Sequence, residues 1–157
     1  MDRGGRGGHA AVARGGVRLF LDASVLLAAC GSASGASRAI FRHAGAQGWA
    51  LVSVPYVLRE VAKNLPDFPP AAAQEWARLR PMLLVMKNVL TVNRPVVFHA
   101  GKDRPILFSA LAWADILLTL DRCDFAAMLG GSFYRLRVMK PGPFLREERA
   151  SRRLPAV

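Results

Sequence analysis

At 157 residues the chain has the length of one ordinary domain and is long enough to bury a core of its own. Hydrophobic residues make up 52% and aromatic ones only 8%, a balance carried by Ala, Leu and Val that excludes a disordered chain and suits helices packed on a short sheet. The net charge of +11, from 22 Lys and Arg against 11 Asp and Glu, gives a long-range field that attracts polyanions such as nucleic acid or an acidic partner protein.

In chain order, residues 1–16 are rich in Gly and Arg without an apolar period and predict a flexible leader, or a start of translation placed too early. A single domain is expected over residues 17–145, followed by a mobile basic tail over 146–157, where Arg146, Arg149, Arg152 and Arg153 crowd together. Val17 to Leu21 is a short apolar run suited to a central parallel strand, and Ser24 to Cys30 predicts a helix that stops at Gly31. Gly31 to Ser37 is a loop in which Ser37 can cap the next helix, carrying Ile40, Phe41 and Ala44 on one face and ending near Gly48. Residues 50–54 form the next strand, and Pro55 starts a helix through Asn64 with Val57, Leu58, Val61 and Leu65 as its stripe.

Pro66 to Pro70 breaks the chain. Ala71 to Leu90 is helical in composition, with Trp76, Leu79, Leu83 and Met86 on one face and Pro81 as a kink or the turn of a helical hairpin. After the short extended stretch PVVFHA come a helix from Asp103 to Ala114, a strand from Ile116 to Leu120, a short helix from Arg122 to Leu129 and a last strand from Tyr134 to Met139. Strand and helix alternate, which predicts an α/β fold: a central parallel sheet with helices on both faces.

The first strand and helix invite a second interpretation. Arg14 and Arg18 precede the apolar stretch from Leu19 to Cys30, and Leu27-Ala28-Ala29-Cys30 resembles a lipoprotein cleavage box. An export signal needs an unbroken apolar run, however, and Asp22 interrupts this one at a cost of about 3 kcal/mol on insertion scales. No other segment reaches the ~20 apolar residues of a membrane helix without a charge or a proline, so no membrane association is expected. Cys30 and Cys123 have neither metal-ligand spacing nor a disulfide framework, and a reducing, cytoplasmic location fits them best.

In a parallel sheet with helical crossovers, strand ends and helix starts meet at the carboxyl edge, where ligands bind. Asp22 follows the first strand and Asp121 follows the strand ILLTL. Asp103 starts one returning helix, and Glu60 lies in the first half of another. Four carboxylates are therefore expected at one edge, while Asp115, which precedes its strand, belongs to the opposite one. Asp124 is a candidate fifth member or one more solvated acid. Each has a structural alternative: Asp22, Asp103 and Asp121 as helix caps, Glu60 as an exposed helix glutamate.

Two unit charges ~4 Å apart repel by about 4 kcal/mol at an effective dielectric of 20, so such a cluster calls for a counter-charge. A hard divalent cation, Mg²⁺ or Mn²⁺, matches carboxylate oxygens and leaves positions for phosphate. Ser24 and Thr119, beside Asp22 and Asp121, can support the site by fixing a carboxylate rotamer, or are ordinary turn and strand residues. His9, His43, His99 and the two cysteines form no competing nucleophilic triad. A phosphatase of the haloacid-dehalogenase type needs a second aspartate where Ser24 stands.

The segments LFLDASVLLAA, VPYVLREVAKNL, KDRPILFSALAWADILLTLDRCDF and YRLRVMKPGPFL resemble the PIN-domain family, in particular the VapC-like toxin ribonucleases of bacterial toxin–antitoxin pairs. The resemblance covers about Val17 to Leu145. It implies a three-layer α/β/α sandwich and an endoribonuclease site dependent on Mg²⁺ or Mn²⁺, with Asp22, Glu60, Asp103 and Asp121 as the metal-holding and catalytic acids. The position two after the first aspartate is asparagine in many members and Ser24 here, while the looser spacing after Asp121 leaves Asp124 without an assigned role. The resemblance further implies an RNA substrate, a small antitoxin partner and a homodimer. Apolar helix surface around Trp76 to Met86 is the candidate contact region, or else an ordinary core-packed helix. A catalytically weak PIN-fold module that binds RNA or protein is the alternative function.

Overall fold

The computed structural model describes residues 16–89, 104–121, 132–133, 135–151 and 154–155. Its strands are β1 (Arg18–Leu21), β2 (Ala50–Ser53), β3 (Leu84–Val85), β4 (Ile116–Leu118), β5 (Ser132–Phe133) and β6 (Leu136–Met139). Its helices are α1 (Ala23–Gly31), α2 (Ala36–Gln47), α3 (Pro55–Asn64), α4 (Ala71–Leu79), α5 (Arg104–Trp113) and α6 (Pro141–Ala150). Single 3₁₀ turns follow α3 at Leu65–Asp67 and α4 at Arg80–Met82.

β1 and β4 are apolar at nearly every position because both of their faces are covered; Leu19, Phe20, Leu21, Leu117 and Leu118 have no exposed surface. The six strands form one sheet in the order β3-β2-β1-β4-β6-β5. The first five in that row are parallel, and β5 runs antiparallel to β6. With helices flanking this sheet, the chain is an α/β protein of the three-layer α/β/α kind.

The strand order positions the site. From β1 the chain moves outward through β2 to β3, then returns to the other flank of β1 as β4 and moves outward again to β6. The reversal falls between β1 and β4. Connections leave the carboxyl ends of these two strands in opposite directions, opening the crevice in which open parallel sheets bind ligands. β1 and β4 pair as Leu19 with Ile116, Phe20 with Leu117 and Leu21 with Leu118, so Asp22 and Thr119 are the next residues on either side.

Several boundaries differ from the sequence expectations, each for a physical reason. α2 is capped by Gly35, and Ser37 is buried inside its first turn rather than capping it. Its other end is as expected: Gly48 has φ 69, a left-handed conformation in which glycine carries no Cβ penalty. Up to residue 89, the segment expected as a kinked helix or helical hairpin is helical only as far as Met82. Pro81 stops α4 in a 3₁₀ turn, and the apolar Leu84–Val85 then pairs with Val52 and Ser53 on the open side of β2. As a result Leu79 and Leu83 are buried and Trp76 is half-buried, so the expected apolar helix surface is largely core; apolar exposure moves to Met82, Leu84 and Val85.

The chain also stays folded past residue 146, where a tail was expected. α6 runs to Ala150, burying Phe144 and Leu145, with the Phe144 ring 5.1 Å from that of Trp49. Leu154 is buried as well, and its N–H donates to the Glu148 carbonyl. The density of arginines there hid an amphipathic face. Residues 1–15, PVVFHA and the helix expected from Arg122 to Leu129 lie outside the described residues.

Among the described residues no single helix is long and apolar enough to cross a membrane. The lipoprotein-like box is internal to α1, with Leu27, Ala29 and Cys30 buried in the core.

Candidate active site at the carboxyl edge of the sheet

Asp22 stands between β1 and α1, as the N-cap of the helix. Its backbone N–H donates to the Leu118 carbonyl at 3.1 Å, extending the ladder to β4 by one residue. Its side chain turns back over the helix start, where Oδ1 accepts the Ala23 N–H at 2.7 Å, as an N-cap does. The same carboxylate is only 5% exposed. Its other oxygen, Oδ2, accepts two hydroxyls: Thr119 Oγ1 at 2.7 Å and Ser24 Oγ at 3.0 Å.

Those two hydroxyls each receive a backbone N–H in turn. Ser24 Oγ accepts the Leu120 N–H at 3.0 Å, and Thr119 Oγ1 accepts the Asp121 N–H at 3.0 Å. The segment after β4 is thus tied to Asp22 through two parallel relays, which set Asp121 beside it. Thr119 is itself held across the next strand pair, its N–H donating to the Met139 carbonyl at 3.0 Å. Ser24 and Thr119, expected as supporting residues, both converge on Asp22 Oδ2.

The electrostatics follow from burial. Desolvation pushes the Asp22 carboxyl above the ordinary carboxylate range, and the negative charge of Asp121 pushes the same way; the bonds from Thr119, Ala23 and Ser24 pull down without outweighing burial. Among the described residues no cationic side chain forms an ion pair with Asp22. A carboxylate has about four acceptor positions, and three are taken here, leaving one on Oδ1. Oxygen ligands with an unfilled acceptor are the kind of donors that would suit a hard cation.

Glu60 stands in the second turn of α3, which starts at Pro55 directly after β2 and hence at the same edge. It is half-buried and has no ion pair among the described residues. The four expected acids are brought together only in part. Among the described residues no group of three His, Cys, Asp or Glu side chains is close enough to hold a metal ion, so Glu60 does not complete a triad with Asp22 and Asp121. Asp103 and Asp124 lie outside the described residues. Cys30 is no nucleophile at neutral pH, because burial pushes its thiol up to about 11, with Arg38 opposing and Glu75 adding smaller effects.

Asp115 lies at the opposite edge, as expected. It accepts the Arg18 N–H at 2.8 Å and pairs with the Arg18 guanidinium at 3.2 Å. Partial burial works against its ionisation, but the Arg18 bonds prevail and hold the carboxyl below its usual range. Asp115→Asn should therefore leave any activity of the edge around Asp22 unchanged and cost at most about 1 kcal/mol in urea unfolding, since the pair is largely exposed. A large loss of activity in this variant would contradict the placement of the site.

Lys140 is not among the residues expected at this edge. It directly follows β6, and Met139 pairs with Leu118, so Lys140 is the strand neighbour of Thr119. The signal was available in the Met-Lys-Pro that ends the last strand, but only the strand order reveals which edge residues it adjoins. No protein-family model matches the chain, and no curated protein matches it either.

Proposed function

We propose that the protein is a metal-dependent endoribonuclease of the PIN-like kind, acting in the cytoplasm as the toxin of a toxin–antitoxin pair and restrained by a small antitoxin. The observation that carries the catalytic part is the buried Asp22, which has no cationic partner among the described residues and is set beside Asp121 at the sheet's switch point. A plain structural cap does not need burial next to a second acid. A basic chain of net charge +11 suits a polyanionic substrate, and the resemblance of the four sequence segments supplies the reaction class and the biological setting.

Asp22 and Asp121 would hold Mg²⁺ or Mn²⁺, with Glu60 and Asp103 as the further acids that the resemblance assigns. When bound, the ion supplies Lewis-acid charge that eases deprotonation of water and neutralises phosphate oxygens. The chain's own contribution is positional. Ser24 and Thr119 immobilise Oδ2 of Asp22, so Oδ1 keeps one direction open, and the relays through their hydroxyls fix where Asp121 stands. Hydrolysis joins the water oxygen to phosphorus and breaks the bond from phosphorus to the sugar oxygen, which leaves protonated.

A second reading is a PIN-fold binding module without appreciable catalysis. It is favoured by one finding: the described residues bring together two of the expected acids and not three. The experiment that separates the two incubates purified protein with a mixed RNA pool in Mg²⁺ or Mn²⁺, with and without EDTA. Cleavage that stops on chelation is the expected result. Intact RNA under every condition, with RNA still bound, would establish the module.

A further inference from the structure

Three arginines of the fold are committed to carboxylates. Arg18 pairs with Asp115, Arg38 with Glu75, and Arg137 with Glu147 through two bonds of 2.8 and 2.9 Å. At the carboxyl edge, Lys140 is half-buried yet has no side-chain hydrogen bond or ion pair among the described residues. Its position is fixed by register. Leu118 pairs with Met139 and the Thr119 N–H donates to the Met139 carbonyl, so Lys140 lies one strand spacing, about 4.8 Å, from Thr119 along the backbone. Thr119 in turn bonds Asp22 at 2.7 Å. Among the charges acting on Asp22, however, only Asp121 is prominent. Lys140 thus lies near Asp22 without forming an ion pair with it. Backbone donors do not substitute for it, because two of the first three residues of α6, Pro141 and Pro143, have no N–H.

We infer that Lys140 is a substrate-binding residue that holds a backbone phosphate of single-stranded RNA, next to the phosphate over Asp22 and Asp121. The inference rests on the ribonuclease reading in taking RNA as the ligand. A lysine ammonium is a compact point charge suited to a phosphate oxygen whose base sequence does not matter. Set one strand outward from the acids, it gives the strand a direction across the sheet edge, from β1 over β4 toward β6. The adjoining phosphate is then aligned for attack, and Asp22 carries no paired lysine that would dull its hold on a cation.

The test is binding of a short, mixed-sequence, fluorescein-labelled single-stranded RNA, read by anisotropy over a series of salt concentrations in EDTA, where no metal-dependent cleavage occurs. Lys140→Met, which keeps the apolar stem and removes the charge, should weaken binding several-fold and reduce the slope of log affinity against log salt by ~0.7. Lys140→Arg should keep the slope. Arg78→Ala removes the same charge from an exposed position on α4 and should also keep it. If Lys140→Met binds with the wild-type slope and affinity, Lys140 is not a phosphate contact, whether or not the protein cleaves RNA. If neither form binds RNA, both this assignment and the ribonuclease reading are overturned.

Discussion

Replacing Asp22 by Asn should abolish RNA cleavage, by ~10³-fold or more, while the metal-free protein stays as stable as wild type or gains stability. The activity loss follows from removing a charge that holds the cation, since metal-derived charge stabilisation is worth several kcal/mol and each 1.4 kcal/mol is about tenfold. Stability survives because Asn is as good an N-cap as Asp and can keep its oxygen on the Ala23 N–H. The amide can donate to the Ser24 and Thr119 hydroxyls, each of which has a second lone pair. What disappears is the cost of burying a negative charge. The folded-state pKa of Asp22 is raised, so its contribution to stability is fully present below the ordinary carboxylate pKa and is lost as pH rises through the raised value. The stability advantage of Asp22→Asn should therefore grow with pH across that window and vanish in acid. Wild-type cleavage should rise with pH over the same window, as the carboxylate ionises.

A cation offsets the same cost. Mn²⁺ at a hundred times its dissociation constant should stabilise the wild type by about 2.7 kcal/mol at neutral pH, seen as a rise in Tm, and should do much less for Asp22→Asn. If the variant keeps both cleavage and the Mn²⁺-induced shift, Asp22 is only a helix cap and the catalytic reading is wrong. Loss of both together with an unchanged metal-free Tm is the expected pattern.

Much of this arrangement is legible in the sequence because it depends on local signals. The apolar run before Asp22, Pro55 at a helix start and Gly48 at a helix end each fix an element within a residue or two. Alternation of strand and helix then leads to a parallel sheet, and the sheet places Asp22, Thr119 and Asp121 at one edge without further information. What was not legible depends on contacts distant in sequence. Leu84–Val85 becomes a strand only because β2 has an open side, a fact that no periodicity in residues 71–90 encodes. The continuation of α6 past Leu145 was masked by its charge, since the buried Glu148 and Leu154 stand among arginines whose number suggested a tail. Edge placement is also coarser than ligand geometry. Glu60 is at the expected edge, yet a helix's second turn and a strand's last residue share an edge without sharing a ligand.

The hydroxyl relays give the second large effect. Thr119→Val keeps the shape of a fully buried side chain and removes one oxygen, which both donates to Asp22 and accepts from the Asp121 N–H. Leaving that N–H without its partner should cost about 1–3 kcal/mol in urea unfolding. Cleavage should fall roughly 10–100-fold, the usual penalty for removing a group that orients a metal-holding carboxylate. A merely structural threonine would give the stability loss alone, so the pH profile is the deciding measurement. Thr119 lowers the Asp22 pKa, and without it burial acts less opposed; the rise of cleavage with pH should move to higher pH. Ser24→Ala should do the same more weakly, through a longer bond to the same oxygen. Because the two hydroxyls share Oδ2, either can partly stand in for the other, and the double variant should lose more activity than the two single losses combined. If Thr119→Val cleaves with the wild-type rate and pH profile, the relay to Asp22 has no part in the reaction. The acidic edge would then owe its order to helix capping alone.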